Sequence, residues 1–461
     1  MENKATLTTG PIGRTLISLT APMVFGIFAI VAFNLVDTYF VGKLGTQYLA
    51  AMGFILPVVM FVGSIALGLG IGTSAVVSRA IGEGNHERVI RLSTDSLVLA
   101  VLIVAFFVVI GLLTIDPLFT ALGATPELLP LIREYMTIWY VGMIFVVVPM
   151  VGNNVLRASG DTLTPGIIMC VAAVVNTVLD PILIFGWAGM PALKLKGAAL
   201  ATVFARATTL TLSLSILHFR KRMLSFALPR LAHLWESWKR VLYIAIPTAA
   251  TNVLMPLSMG IITRLASQFG DSAVAAVGVG AKIDAFALLL IIALRSVLVP
   301  FVGQNWGAQK SDRVLLAQRH SYRFSFCWGL FAMAVLIVAA APIARLFSKQ
   351  PEVVSNIVLY LRIVPLSYGL LGISFLVVTV FNAVNRPFTA AGINLSRVFL
   401  LFVPLAIAGA RIFGFKGLLC GITVANIVAG CGALLWIHTS LNEEMKLGSS
   451  LPAGKSAIGG P

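Results

Sequence analysis

The sequence predicts an all-α integral membrane protein with twelve transmembrane helices in two parallel-repeat six-helix bundles. Three observations carry this: the composition, the length and number of the apolar stretches, and an internal repeat. Of 461 residues, 59% are hydrophobic and 11% charged, and the mean hydropathy is +0.98. Such a chain in water would leave far too much apolar surface exposed, so its solvent is lipid. A spanning helix takes about 20 apolar residues, so the chain holds roughly a dozen spans and no soluble domain.

In chain order the spans fall at 14–40, 48–76, 91–115, 131–153, 165–186, 196–218, 241–265, 273–300, 316–341, 353–381, 388–410 and 417–438. Residues 1–13 are polar, and the stretch after them is too long for a signal-peptide core and lacks a small-residue cleavage site, so no processing is expected. With the N-terminus inside, the inner segments hold Lys4 and Arg14, then Arg79, Arg88 and Arg91, then Arg157, the six cations from Arg220 to Arg240, four from Lys310 to Arg323, Arg386, Lys446 and Lys455. That is 19 of the 33 Lys and Arg residues, against nine outside; Arg206, Lys282, Arg295, Arg362 and Arg397 fall within spans. The excess predicts that both termini are cytoplasmic. The same dispersion removes nucleic acid as the meaning of the +16 charge, because no basic stripe or arm forms. Cys170, Cys327, Cys420 and Cys431 lie inside spans without metal-ligand spacing and read as small packing residues.

Shifting the chain by 225 positions aligns Gly45 with Gly270, Ala50 and Ala51 with Ala275 and Ala276, Gly53 with Gly278, Gly82 with Gly307 and Arg88 with Arg313. Residues 45–89 give ten identities without a gap, against roughly four expected by chance in so apolar a chain. The same offset pairs Pro22 with Pro247 and Tyr135 with Tyr360; Lys196 and Gly197 match Lys416 and Gly417 after a five-residue loss. An even number of spans in each half makes the repeat parallel, a design suited to alternating access. The predicted divisions are a first bundle at 1–218 carrying the coupling site, a basic cytoplasmic linker at 219–240, a second bundle at 241–446 and a tail at 447–461.

A carboxylate at the centre of a spanning helix costs about 2.5–3.5 kcal/mol on insertion scales, so an acid kept there calls for a role. Asp37, in NLVDTYFVGKLG, has Asn34 one turn before it; Asp180, in VVNTVLDPILIFGW, has Asn176 four residues earlier on its own face. Both acids fall in the outer half of their spans, so two helices of one bundle could close Asp37, Asp180 and Asn176 around a polar cavity for a proton or Na⁺. Their repeat positions are Ile262, Leu405 and Leu401, so the cluster belongs to the first half alone. Pro22 and Pro181 interrupt spans and permit kinks. Asp284, with Lys282 nearby and Arg295 farther along, reads as a buried charge network. Tyr140 and Trp139 could line a cavity or pack between helices. No histidine lies near the membrane midplane, which argues against a histidine relay.

The segment DTYFVGKLG at Asp37–Gly45, the loop LRASGDTLTP at Leu156–Pro165 and NTVLDP at Asn176–Pro181 together resemble the multidrug and toxic compound extrusion (MATE) family, in its bacterial DinF-like branch. The resemblance covers essentially the whole chain and implies export of cationic or amphiphilic drugs in exchange for H⁺ or Na⁺, without a cofactor. It also implies a bacterial inner (cytoplasmic) membrane and membrane lipid and small drugs as the partners of a monomer. By that similarity Asp37, Asn176, Asp180 and Thr202 match the first-bundle proton or Na⁺ site, Pro22 matches the proline about which the first helix bends, and Tyr140 lies beside the site. The second half departs from the NorM-like branch, because spans 241–265 and 353–381 hold no Asp or Glu. Within the loop, Gly160 and Asp161 suit a turn, and Thr164 and Pro165 the cap and first position of the fifth helix. A lipid-linked saccharide flippase is the nearest rival; it predicts cavity cations for a pyrophosphate, and the acid pair argues against it. A membrane-embedded enzyme lacks its motifs: neither H-E-x-x-H nor G-x-S-x-G occurs.

Overall fold

A computed structural model describes residues 5–225 and 231–442. Residues 226–230 of the predicted linker, 443–446 of the second bundle and the predicted tail lie outside the described residues. A 3-10 turn (Thr6–Thr8) leads into α1 (Ile12–Gly42), α2 (Thr46–Gly82), α3 (His86–Ala121), α4 (Leu129–Gly142), α5 (Ile144–Ala158), α6 (Leu163–Phe185) and α7 (Lys194–Ser215). Then come α8 (Leu231–Ser267), α9 (Asp271–Ala287), α10 (Leu289–Gly307), α11 (Ser311–Phe347), α12 (Pro351–Ile363), α13 (Tyr368–Ala383), α14 (Pro387–Leu395) and α15 (Val403–Ile437). No strand occurs among the described residues.

Among the described residues, ten helical stretches are long and apolar enough to cross a membrane, and α4 with α5, bent by 40°, makes a further crossing. The last stretch, Pro387–Leu441, is 55 residues long and leaves helical geometry at Phe413 and Gly414, which divides it into two crossings. Twelve crossings therefore fall where the apolar stretches predicted them. Three of these spans are broken: α4 to α5 at Met143, α9 to α10 at Leu288, and α12 to α13 through a 3-10 turn at Val364–Ser367 containing Pro365. Continuous apolar runs give no warning of such breaks, except at the proline.

The repeat is written into the backbone. Residues with positive φ recur at the 225 offset: Gly45 (123°) with Gly270 (92°), Gly84 (75°) with Gln309 (56°), Gly160 (86°) with Asn385 (68°), and Gly189 (79°) with Gly414 (62°). Left-handed backbone disfavours side chains with a Cβ, so four matched pairs mark equivalent turns even where the residues differ.

The described residues divide into two compact units, Ala5 and Thr6 with Ser18–Asn252, and Leu7–Ile17 with 253–442. The division falls inside α8 because its first half packs on α2. A Cβ on Gly68 would sit 2.6 Å from the Ala245 carbonyl, and one on Gly72 2.7 Å from that of Val241. Lipid offers no hydrophobic drive between helices, so such close backbone approach is what joins them. Leu7–Ile17 belongs with the second unit because its backbone is captured there. Gln304 Oε1 accepts from Leu7 N at 3.1 Å, Asn305 Nδ2 donates to the Leu7 carbonyl at 3.1 Å, and Lys310 Nζ to that of Thr8 at 3.0 Å. Arg313 donates to the carbonyls of Leu7, Thr9 and Gly10 at 3.3, 3.1 and 2.9 Å.

Candidate functional site

Three helices of the first unit build the site. α6 and α7 are joined by a short connection, run antiparallel and pack closely, since a Cβ on Gly197 would lie 2.4 Å from the Leu183 carbonyl. α1 meets α6 at two places: a Gly26 Cβ would come 3.0 Å from the Gly166 Cα, and Phe40 meets Phe185 edge-on with centroids 6.1 Å apart. Arg206 of α7 lies over the ring of Phe33 of α1 at 5.0 Å. Thr202 is one turn before Arg206 and Asp37 one turn after Phe33. On antiparallel helices these turns climb to the same level. From the α6 side, Thr202 stands five residues beyond Gly197 and so faces about residue 178, between Asn176 and Asp180. Four polar residues thus share one level on three adjacent helices.

All four are buried. Asn176 Nδ2 donates to Asp180 Oδ1 at 3.2 Å. Asp180 Oδ2, Asn176 Oδ1 and Asp37 Oδ1 are buried without a hydrogen-bond partner. The two carboxylates are close enough to feel one another's charge, and neither enters an ion pair among the described residues. Unpartnered buried oxygens are rare because each costs about 1–3 kcal/mol, and a like-charged pair is relieved by a proton or cation held between its members. The chemistry of this donor set is that of a hard-cation or proton site.

The structure disperses the other predicted site residues. Asn34 is exposed, with its backbone carbonyl accepting from Thr38 Oγ1 at 2.8 Å. Tyr140 is buried beneath Gly111, whose Cβ would meet the ring at 2.5 Å, and stands edge-on to Trp139. α1 runs helically through Pro22, whose carbonyl lies 2.8 Å from the Cβ position of Gly166. Pro22, Phe25 and Gly166 line an apolar pocket of about 360 Å³.

The charge network expected of Lys282, Asp284 and Arg295 is not formed. Asp284 instead accepts from the hydroxyls of Tyr360 (2.8 Å) and Tyr368. Arg295 Nε donates to Thr379 Oγ1 at 3.2 Å, and Lys282 is exposed. Two neutral hydroxyls satisfy Asp284 without a buried cation, so spacing along one span misjudged partners that come from another. The cap of the fifth crossing is also corrected. α6 begins at Leu163, and Asp161 does the capping, accepting from Thr164 N at 3.0 Å and Thr164 Oγ1 at 2.9 Å.

Tyr135 is the residue that sequence reasoning missed. It is buried on α4 within electrostatic reach of both Asp37 and Asp180. The repeat held the signal, because its partner Tyr360 is the tyrosine bonded to the buried acid of the second unit.

The MatE family profile matches residues 22–182 and again 247–408, two segments that begin 225 positions apart. This chain belongs to the MatE family. It is a multi-pass membrane transporter and not an enzyme, with bacterial relatives named as multidrug export proteins. This MatE chain is 39% identical over 430 residues to a protein of Shewanella oneidensis named FAD transporter, covering 93% of this chain and 95% of the relative. It is 25% identical to the probable multidrug resistance protein YpnP of Bacillus subtilis, covering 95% and 98%. Among solved structures, the Vibrio cholerae MATE transporter VcmN in its bent form matches it with a TM-score of 0.89 at 33% identity, covering 95% and 98%.

Proposed function

We propose that this MatE transporter is a secondary active exporter that antiports small cationic or amphiphilic compounds against H⁺ or Na⁺ by alternating access. Asp37, Asn176, Asp180 and Thr202 form its coupling site, with Tyr135 beside them. The observation that carries the reading is the set of three buried, unpartnered oxygens around two carboxylates that no cation among the described residues pairs with. An external H⁺ or Na⁺ entering this set removes the repulsion and supplies the missing partner, and α1, which carries Asp37, responds. One charge crossing 100 mV releases about 2.3 kcal/mol, enough for tens-fold accumulation. The chain works as a monomer in the bacterial inner membrane with both termini in the cytoplasm, and Pro22, Asn34 and Tyr140 serve gating and cavity lining.

The test is uptake of a fluorescent cation by proteoliposomes driven separately by a pH gradient and a Na⁺ gradient. Asp37→Asn and Asp180→Asn are expected to abolish the response to the effective gradient with insertion unchanged. Wild-type rates in either variant refute the site, and no response of the wild type to both gradients refutes antiport. A second reading of the cargo, a flavin dinucleotide, is favoured by the relative named FAD transporter. Loading the same vesicles with that compound separates the two.

A further inference from the structure

The pair Asp37 and Asp180 has no counterpart in the second unit, which, besides Asp284, sets two arginines around one aromatic ring. Arg295 on α10 holds its guanidinium carbon 5.9 Å from the centre of the Phe375 ring on α13. Arg397, in the π-helical turn Ser396–Phe402, stands 5.4 Å from the same ring. Thr379, one turn beyond Phe375, donates to the Phe375 carbonyl at 2.8 Å and accepts from Arg295 Nε at 3.2 Å, which fixes that guanidinium. Arg397 Nε is buried and has no hydrogen-bond partner. Neither arginine enters an ion pair among the described residues.

The residues lie deep in their spans. Arg397 is ten residues into the stretch that begins at Pro387, about 15 Å along the helix axis. Arg295, Phe375 and Arg397 are each partly exposed, and Phe375 is the accessible residue in an otherwise buried run of α13 from Leu371 to Ala383. Packing of two arginines on an aromatic ring is the simple account, and the attraction of a cation to a ring face is modest. That does not balance two cations that repel one another at membrane depth, where each charge is costly to keep. It also leaves a buried donor unused. A planar guanidinium fork matches a phosphate, and two forks held toward one ring supply the donors and the charge that such a group needs.

We propose that Arg295 and Arg397, set around Phe375 and positioned through Thr379, form an anion subsite that takes the phosphate group of an amphiphilic molecule. The phosphate belongs either to a dissolved solute or to a lipid headgroup. The site stands apart from cation coupling, so equilibrium binding, which needs no gradient, tests it without testing the antiport reading.

The probes are flavin mononucleotide and riboflavin, one ring system with and without a phosphate, titrated by flavin fluorescence against the full chain in non-ionic detergent. The second arm repeats the titration in nanodiscs of phosphatidylcholine with or without phosphatidylglycerol. Flavin mononucleotide is expected to bind more tightly than riboflavin. Arg295→Gln and Arg397→Gln weaken it by roughly 30-fold and leave riboflavin unchanged. Arg397→Lys, which keeps the charge and loses the fork, falls between and guards against a folding artefact. Displacement by phosphatidylglycerol in the wild type but not in Arg397→Gln assigns the subsite to a lipid headgroup; no displacement assigns it to a solute. Equal binding of the two flavins, binding of neither, or an affinity for flavin mononucleotide indifferent to all three substitutions overturns the proposal.

Discussion

Asp161 sits outside the membrane spans, between α5 and α6, and its partners are all visible. Burial works to raise its pKa, but the Lys221 ammonium at 2.9 Å and the N–H and hydroxyl of Thr164 outweigh that and hold it below its ordinary 3.8. A carboxylate whose folded pKa is depressed stabilises above the unfolded value and loses that contribution as pH falls through the folded one. Asp161→Ala should therefore cost about 1 kcal/mol at neutral pH, as for a lost helix cap. The gap in thermal unfolding temperature from the wild type should narrow steadily below about pH 4. A gap that stays constant with pH would mean that the carboxylate charge is not what matters. The sequence placed Asp161 in a turn and missed its capping role, since Thr164 is also a good cap by residue type. Only the direction of the carboxylate decides that Asp161, rather than Thr164, caps the helix.

Helix pairs are set by where backbones can touch. Gly197 and Gly417 are repeat partners, and both mark the closest approach of their pair: a Cβ would lie 2.4 Å from the Leu183 carbonyl in one and 1.9 Å from the Gly409 carbonyl in the other. Those atoms are backbone and cannot yield cheaply, so Gly417→Ala should destabilise by about 1–3 kcal/mol. Gly432 lies in the same helix with nothing within 4 Å. There, Gly432→Ala should be neutral or gain up to about 1 kcal/mol from helix propensity. Thermal unfolding in detergent reads both, and equal effects at the two positions would refute the close-approach argument. The existence of these helices was legible from apolar run length, and the kinship of Gly197 and Gly417 from the offset. Breaks such as Met143 and Leu288 were not, because a bent span and a straight one bury the same residue types.

At the scale of the whole molecule, residues 7–17 do not follow the half they precede. Arg313 alone makes three hydrogen bonds to the carbonyls of residues 7–10, while its repeat partner Arg88 pairs with Glu83 at 2.5 Å. Arg313→Ala should release this segment, visible as faster amide hydrogen exchange over residues 5–12 with the helices of the first unit unchanged. Unaltered exchange there would show that the remaining bonds of Asn305, Gln304 and Lys310 suffice.

The amino-acid sequence by itself determined the solvent, the number of crossings, the two-fold repeat and the confinement of Asp37 and Asp180 to the first half. Each of these follows from residue type and spacing along one chain. Tertiary structure alone decided which side chains come together: Tyr135 within electrostatic reach of the acid pair, Tyr360 and Tyr368 bonded to Asp284, and Arg295 and Arg397 around Phe375. These partners come from different helices, and their distances are fixed by glycine contacts and span breaks that no periodicity within a single helix encodes.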